Sequence, residues 1–166
     1  MSFFLFSHGM YCCVPYVLAA MGVVATAWTG SKFTSASTGS EWYQCIKPGL
    51  TPPAAVFPVV WTMLYILLIA AFGRALTTAD PLLVGLFIIN LILNAMWCYW
   101  YFKERNISYA LGNIVALWAT TISILWVGQN DKLIVACVLP YLGWITFAAL
   151  LNMLSLDNAS KCNIEK

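Results

Sequence analysis

The sequence predicts an all-α fold: one integral membrane domain over residues 1–166, built as a bundle of five transmembrane helices. Three observations lead there. Of the residues, 62% are hydrophobic and 8% charged, with a mean hydropathy of +0.83, whereas an ordinary soluble domain carries about 25% charged residues. The apolar residues fall into five runs near the length of about 20 residues that crosses a bilayer. None of the runs alternates as a barrel strand does, so helices, which satisfy their own backbone in lipid, are the spanning solution. The composition also excludes disorder, which requires low hydropathy and high net charge. Nucleic-acid binding is excluded as well, because the eight Lys and Arg form no basic stripe along which a phosphate backbone could run.

The first span covers about residues 10–29. No positive residue precedes it and it is long enough to cross, so it reads as a retained helix and not a signal peptide. A long loop, 30–53, follows. It begins with small and polar residues and continues as Glu41-Trp42-Tyr43-Gln44-Cys45-Ile46-Lys47-Pro48. The Trp-Tyr pair needs apolar cover, so the loop is expected to be structured, as long functional loops are. The second span, 54–76, starts after Pro52 and Pro53 with Thr51 as its expected cap. Pro58 lies inside it, where proline promotes a bend, and Arg74 can snorkel at its end. The third span, 82–102, stops at Lys103-Glu104-Arg105; the fourth covers 109–127; the fifth, with Pro140 inside, covers 133–156. Five crossings put Lys32, Lys47, Lys103, Arg105, Lys161 and Lys166 on one face and Arg74 and Lys132 on the other. The positive-inside rule then gives a cytosolic C-terminus and a cytosolic first loop.

Cys12, Cys13, Cys45, Cys98, Cys137 and Cys162 contain no C-x-x-C pair and are expected as ordinary buried or lipid-facing thiols. His8, the only histidine, cannot build a zinc or bis-histidine haem site alone, so no metal centre is expected. No Asp, Glu or Lys falls within a span, which removes the usual carrier of proton-coupled transport. The intramembrane polar residues are amides: Asn90, Asn94, Asn113 and Asn152. Among the eight tryptophans, Trp28, Trp100, Trp118 and Trp126 suit the interfacial belts. Helical spacing picks out another set: Trp61 with Tyr65, Asn90 and Asn94 with Trp97, and Trp144 with Ala148. That spacing is satisfied by helix packing as well as by a ligand pocket.

These residues carry a resemblance. Trp42-Tyr43, Lys47-Pro48 and Pro52-Pro53, then Val56-Phe57-Pro58-Val59-Val60-Trp61-Thr62-Met63-Leu64-Tyr65, resemble the translocator protein family, also called tryptophan-rich sensory proteins or peripheral-type benzodiazepine receptors. Leu93-Asn94 with Trp97 and Phe102 is similar to its third-helix motif. Pro140-Tyr141-Leu142-Gly143-Trp144 with Phe147-Ala148 and Leu151-Asn152 is similar to its fifth-helix motif. The resemblance implies a five-helix membrane protein, commonly a homodimer, that binds porphyrins, sterols and benzodiazepine-site ligands in a pocket capped by the first loop. It implies ligand-binding roles for Trp42, Tyr43, Trp61, Tyr65, Asn94, Trp97, Trp144 and Ala148. Porphyrin enters as a ligand, and no cofactor is required. Some bacterial members degrade protoporphyrin in light, and the tryptophans implicated match Trp61 and Trp144. A eukaryotic member would sit in the outer mitochondrial membrane, a bacterial one in the cell envelope.

Three departures from the family pattern stand out. Leu50 replaces the tryptophan of Lys-Pro-x-Trp, Asn90 stands where many relatives have glutamine, and Leu150 to Asn158 lacks the Tyr and basic residue of the sterol motif. Leu93, Tyr99 and Lys103 satisfy a loose sterol pattern elsewhere, of a kind that is weakly diagnostic. No acid, base, metal or thiol pair supports conventional catalysis. The sequence therefore reads as a binding protein for porphyrins (protoporphyrin IX, haem-type tetrapyrroles) and other hydrophobic ligands, acting in sensing or trafficking. The alternatives are a light-dependent porphyrin-degrading enzyme and a sterol or porphyrin transporter.

Overall fold

The computed structural model describes the backbone of residues 2–35 and 37–162, with the side chains of those from residue 13 onward. The side chains of His8 and Cys12, and all of Lys166, lie outside the described residues. The helices are α1 (Ser2–Ser35), α2 (Glu41–Ile46), α3 (Val56–Thr78), α4 (Pro81–Cys98), α5 (Ile107–Val127) and α6 (Lys132–Ala159), with α4 continued by a π-helical turn over Tyr99–Lys103. No strand occurs among the described residues. Five stretches are long and apolar enough to cross a membrane: Cys13–Ser35, Val56–Thr78, Pro81–Lys103, Ile107–Val127 and Lys132–Ala159.

Short polar side chains start most of these helices by accepting from otherwise unpaired N–H groups of the first turn. Ser40 accepts from the Tyr43 N–H, and Asp80 from those of Leu82 and Leu83, with Pro81 leading α4. Asn106 accepts from the N–H of Tyr109, and Asp131 from those of Leu133 and Ile134. The start of α3 departs from expectation. Its cap is Ala55, without a side-chain bond, and Thr51 lies in the preceding loop with its hydroxyl buried and unpartnered among the described residues. Pro58 consequently falls in the first turn of α3, where the N–H it lacks would have had no partner, so it has no ladder bond to break. Pro140, by contrast, does interrupt the ladder of α6. The first connection is shorter than its expected 30–53, because α1 runs on to Ser35 and α2 occupies its middle.

The helices close into a ring. α1 packs on α3 and α4, α3 on α6, and α5 on both α4 and α6, while α2 rests on the end of α6. Large apolar side chains such as Leu18, Met21, Ile66, Ile92 and Leu139 face outward, while Asn90, Asn94, Thr121, Asn152 and Ser155 are buried. Lipid is as apolar as leucine, so amides and hydroxyls gain most by finding one another between helices. Gly73 permits the tight α1–α3 contact, since a Cβ there would overlap the Tyr16 ring. At the far end, the Arg74 guanidinium donates to Asp131 at 2.6 Å, tying α3 to the α5–α6 turn. That bond, followed by the backbone N–H groups of the α6 cap, holds the Asp131 carboxyl below its ordinary range.

Candidate functional site

Two aromatic clusters occupy the half of the bundle beneath α2. The first lies between α3 and α6. Trp61 and Tyr65, one turn apart on α3, have ring centroids 5.3 Å apart, and Trp61 meets Trp144 edge-on at 6.4 Å and Tyr141 at 6.4 Å. Phe57 and Phe147 flank Trp144 at 5.8 and 5.6 Å. Edge-to-face contact is the arrangement ring quadrupoles prefer. Ala148, one turn beyond Trp144, is half-buried against the same core.

The second cluster lies where α4 ends. Trp97 contacts Tyr101 at 5.1 Å and Phe102 at 5.9 Å. An α-helix aligns positions four apart but turns the fifth well away. The π turn, marked by the Glu104 N–H donating to the Tyr99 carbonyl at 3.0 Å, widens the spiral so that both rings reach Trp97. On them rests α2: Trp42 meets Tyr101 at 6.3 Å and Tyr43 meets Phe102 at 5.8 Å. The Arg105 guanidinium lies 5.2 Å from the Trp42 ring, and burial raises the Tyr43 hydroxyl above its ordinary pKa. Trp97 packs against both clusters and joins them.

A one-directional hydrogen-bond chain runs behind the first cluster. The Tyr65 hydroxyl donates to Asn94 Oδ1 at 3.1 Å, and Asn94 Nδ2 donates to the Tyr141 hydroxyl at 2.9 Å. Tyr141 in turn donates to Asn90 Oδ1 at 3.1 Å, and Asn90 Nδ2 to Thr121 Oγ1 at 2.8 Å. Each hydroxyl proton in the chain is committed, so Tyr65, half-buried at its head, presents oxygen lone pairs to an incoming donor. A second set supports the other cluster. Trp97 Nε1 donates to Asn152 Oδ1 at 3.0 Å, Asn152 Nδ2 donates to the Ile107 carbonyl at 3.1 Å, and Tyr101 and Ser155 hydroxyls share a 2.6 Å bond.

Trp61, Tyr65, Asn94, Trp144 and Ala148 thus gather in one neighbourhood, while Trp42 and Tyr43 reach it through Tyr101, Phe102 and Trp97. Two surface clefts lie elsewhere: one of about 400 Å³ along Leu82, Leu86, Ile122 and Trp126, the other of about 340 Å³ beside Lys32, Phe33, Ser37 and Lys103. Leu50, where a lid aromatic was missed, is 64% exposed. Sequence reading overlooked Tyr141 and Tyr101. Helical spacing does carry a signal for both, since Tyr141 is three positions before Trp144 and Tyr101 four after Trp97.

The expectation of six ordinary thiols is corrected. Cys45 of α2 and Cys162 beyond α6 form a disulfide across 117 positions of sequence, and Cys13, Cys98 and Cys137 are free. The pairing has no local signature because folding alone brings the two ends together.

These features define a class: a multi-pass membrane protein whose five-helix ring encloses aromatic and amide side chains beneath a short helix of the first connection. A family model described as TspO/MBR matches residues 13–155. The chain is 32% identical over 140 residues to the tryptophan-rich protein TspO of Chlorobaculum tepidum, covering 81% of this chain and 89% of the relative. It is 32% identical over 138 residues to the tryptophan-rich sensory protein of Cereibacter sphaeroides (81% and 84% covered). To the human translocator protein it is 30% identical over 138 residues (75% and 78% covered). The chain belongs to the TspO/MBR family.

Proposed function

We propose that the protein binds porphyrins, protoporphyrin IX and haem-type tetrapyrroles among them, and other flat hydrophobic ligands at this site, with sensing or trafficking as its output. The observation that carries the reading is the meeting of Trp61, Tyr65 and Trp144 between α3 and α6, over a buried amide–hydroxyl chain. A planar macrocycle stacks on such rings, and a few placed polar groups orient it. A macrocycle seated there parts rings that touch one another, and α2, with Trp42 and Tyr43, covers the neighbouring cluster. Asn94 serves mainly by holding Tyr65 and Tyr141. The names of the relatives, a sensory protein and a translocator protein, agree with sensing or trafficking.

A second reading, light-dependent porphyrin degradation, is favoured by one contact: Trp61 and Trp144 touch each other, so a bound excited porphyrin and dioxygen would meet two oxidisable indoles together. Titration of the purified protein with protoporphyrin IX, followed by tryptophan quenching and absorption in the dark and under illumination, tests both. Saturable quenching with a stable spectrum is the expected result. Absence of quenching overturns the binding reading, and rapid bleaching in light installs the second.

A further inference from the structure

We infer that Cys45 and Cys162 form a reversible thiol-exchange site at which a dithiol reductant unlatches the lid. Helix α2 has six residues, too few to be stable alone, and it sits on the bundle through few attachments. Ile46 is fully buried and its carbonyl accepts from Asn158 Nδ2 at 3.2 Å; Trp42 and Tyr43 rest on Tyr101 and Phe102. The disulfide is the one covalent cross-link among the described residues, joining α2 to the chain just past α6 with Cα atoms 6.2 Å apart. With it closed, any outward swing of α2 must drag the end of α6. With it open, α2 is held by the Ile46 side chain, a hydrogen bond, two ring contacts and the Arg105 guanidinium over Trp42.

The setting makes the bond one that is made and broken. Lys32, Lys47, Lys103, Arg105 and Lys161 lie on its face of the bundle, and Arg74 and Lys132 on the other. The positive-inside rule directs the disulfide's face to the cytosol, where thiols are kept reduced and disulfides that form are transient. Cys45 is exposed and Cys162 half-buried, so attack is assigned to Cys45, the more exposed residue of the pair. A thiolate of the reductant bonds to Cys45 Sγ, the Cys45–Cys162 bond breaks, and Cys162 leaves as a thiolate that takes a proton. The reductant's second thiol then attacks the mixed disulfide and frees Cys45. Two electrons pass to the protein, and the dithiol ends as its own disulfide. The effect on ligand entry rests on the site proposed above; the latch does not.

The test uses the full chain in lipid nanodiscs, equilibrated at ratios of reduced to oxidised dithiothreitol, a dithiol, from oxidising to reducing. Free thiols are alkylated and mapped by mass spectrometry, and hydrogen exchange is followed over residues 37–55. Cys45 and Cys162 should become alkylated together within that range. Exchange in α2 should rise on the order of tenfold in step with them while the interiors of α5 and α6 stay protected. Cys45→Ser and Cys162→Ser should each show the fast exchange without reductant. Both thiols free under oxidising conditions, a bond that survives every dithiothreitol ratio, or α2 exchange indifferent to reduction would each overturn the latch. Protoporphyrin IX should dissociate faster from the reduced protein; binding with equal rates in both states refutes gating. If it never quenches tryptophan while α2 exchange still follows the redox state, the ligand reading fails and the latch stands.

Discussion

Asn94 is 3% exposed and sits between two tyrosine hydroxyls, accepting from one and donating to the other. Replacing it with leucine strands the Tyr65 hydroxyl and leaves Tyr141 with Asn90 alone, and a buried polar group left without its partner costs about 1–3 kcal/mol. Thermal unfolding of the ligand-free Asn94→Leu protein should register that loss, while porphyrin affinity of the folded fraction changes little; the reverse pattern would make Asn94 a direct ligand contact. The two indoles behave differently. Trp61→Phe or Trp144→Phe keeps most of the ring contact, so affinity should fall by no more than about 1.5 kcal/mol, the upper value for an aromatic pair. A phenyl ring is much harder to oxidise than an indole, so any light-driven porphyrin loss should slow sharply in either variant while quenching titrations still saturate. Affinity unmoved even by alanine at both positions would remove the pair from the site.

Helix ends and close approaches set the next level. The α3–α4 connection turns at Ala79, whose φ of 52° lies in the left-handed region, where a Cβ is penalised and glycine is not. Ala79→Gly should therefore stabilise the protein, by about 0.5–1 kcal/mol after the unfolded chain's added freedom is subtracted. Unchanged or lower thermal stability would contradict the turn geometry. Gly73→Ala should do the opposite. Its methyl group meets the Tyr16 ring on α1, and overpacking of this sort costs about 1–3 kcal/mol. Truncating Tyr16 to alanine in the same protein should recover part of that loss, and a cycle of the four proteins measures the coupling.

At the scale of the molecule, an odd number of crossings places the end of α3 and the end of α6 on opposite faces. Ser160→Cys and Thr78→Cys, each introduced singly in a cysteine-free background, should be labelled from opposite sides of sealed vesicles by an impermeant reagent. Ser160→Cys should label from the cytosolic side. Equal labelling of both from one side would refute the five-span arrangement.

Membrane class and helix number were legible in the sequence because they depend on local quantities: twenty or so apolar residues, a breaker, a charge. Trp61 beside Tyr65 and Trp97 beside Asn94 were legible too, for helical spacing sets which residues share a face. The tertiary structure decided what those faces meet. Tyr141 became the link between Asn94 and Asn90 because α6 packs on α3 and α5 together, a relation no spacing within one helix encodes. The π turn at Tyr99–Lys103, which brings both Tyr101 and Phe102 to Trp97 and under α2, and the start of α3 beyond Thr51 had no signature in the spacing. Cys45 and Cys162 looked like unrelated thiols for the same reason: their pairing is a distance in space, set by a closed ring of helices that returns the end of the chain to the first loop.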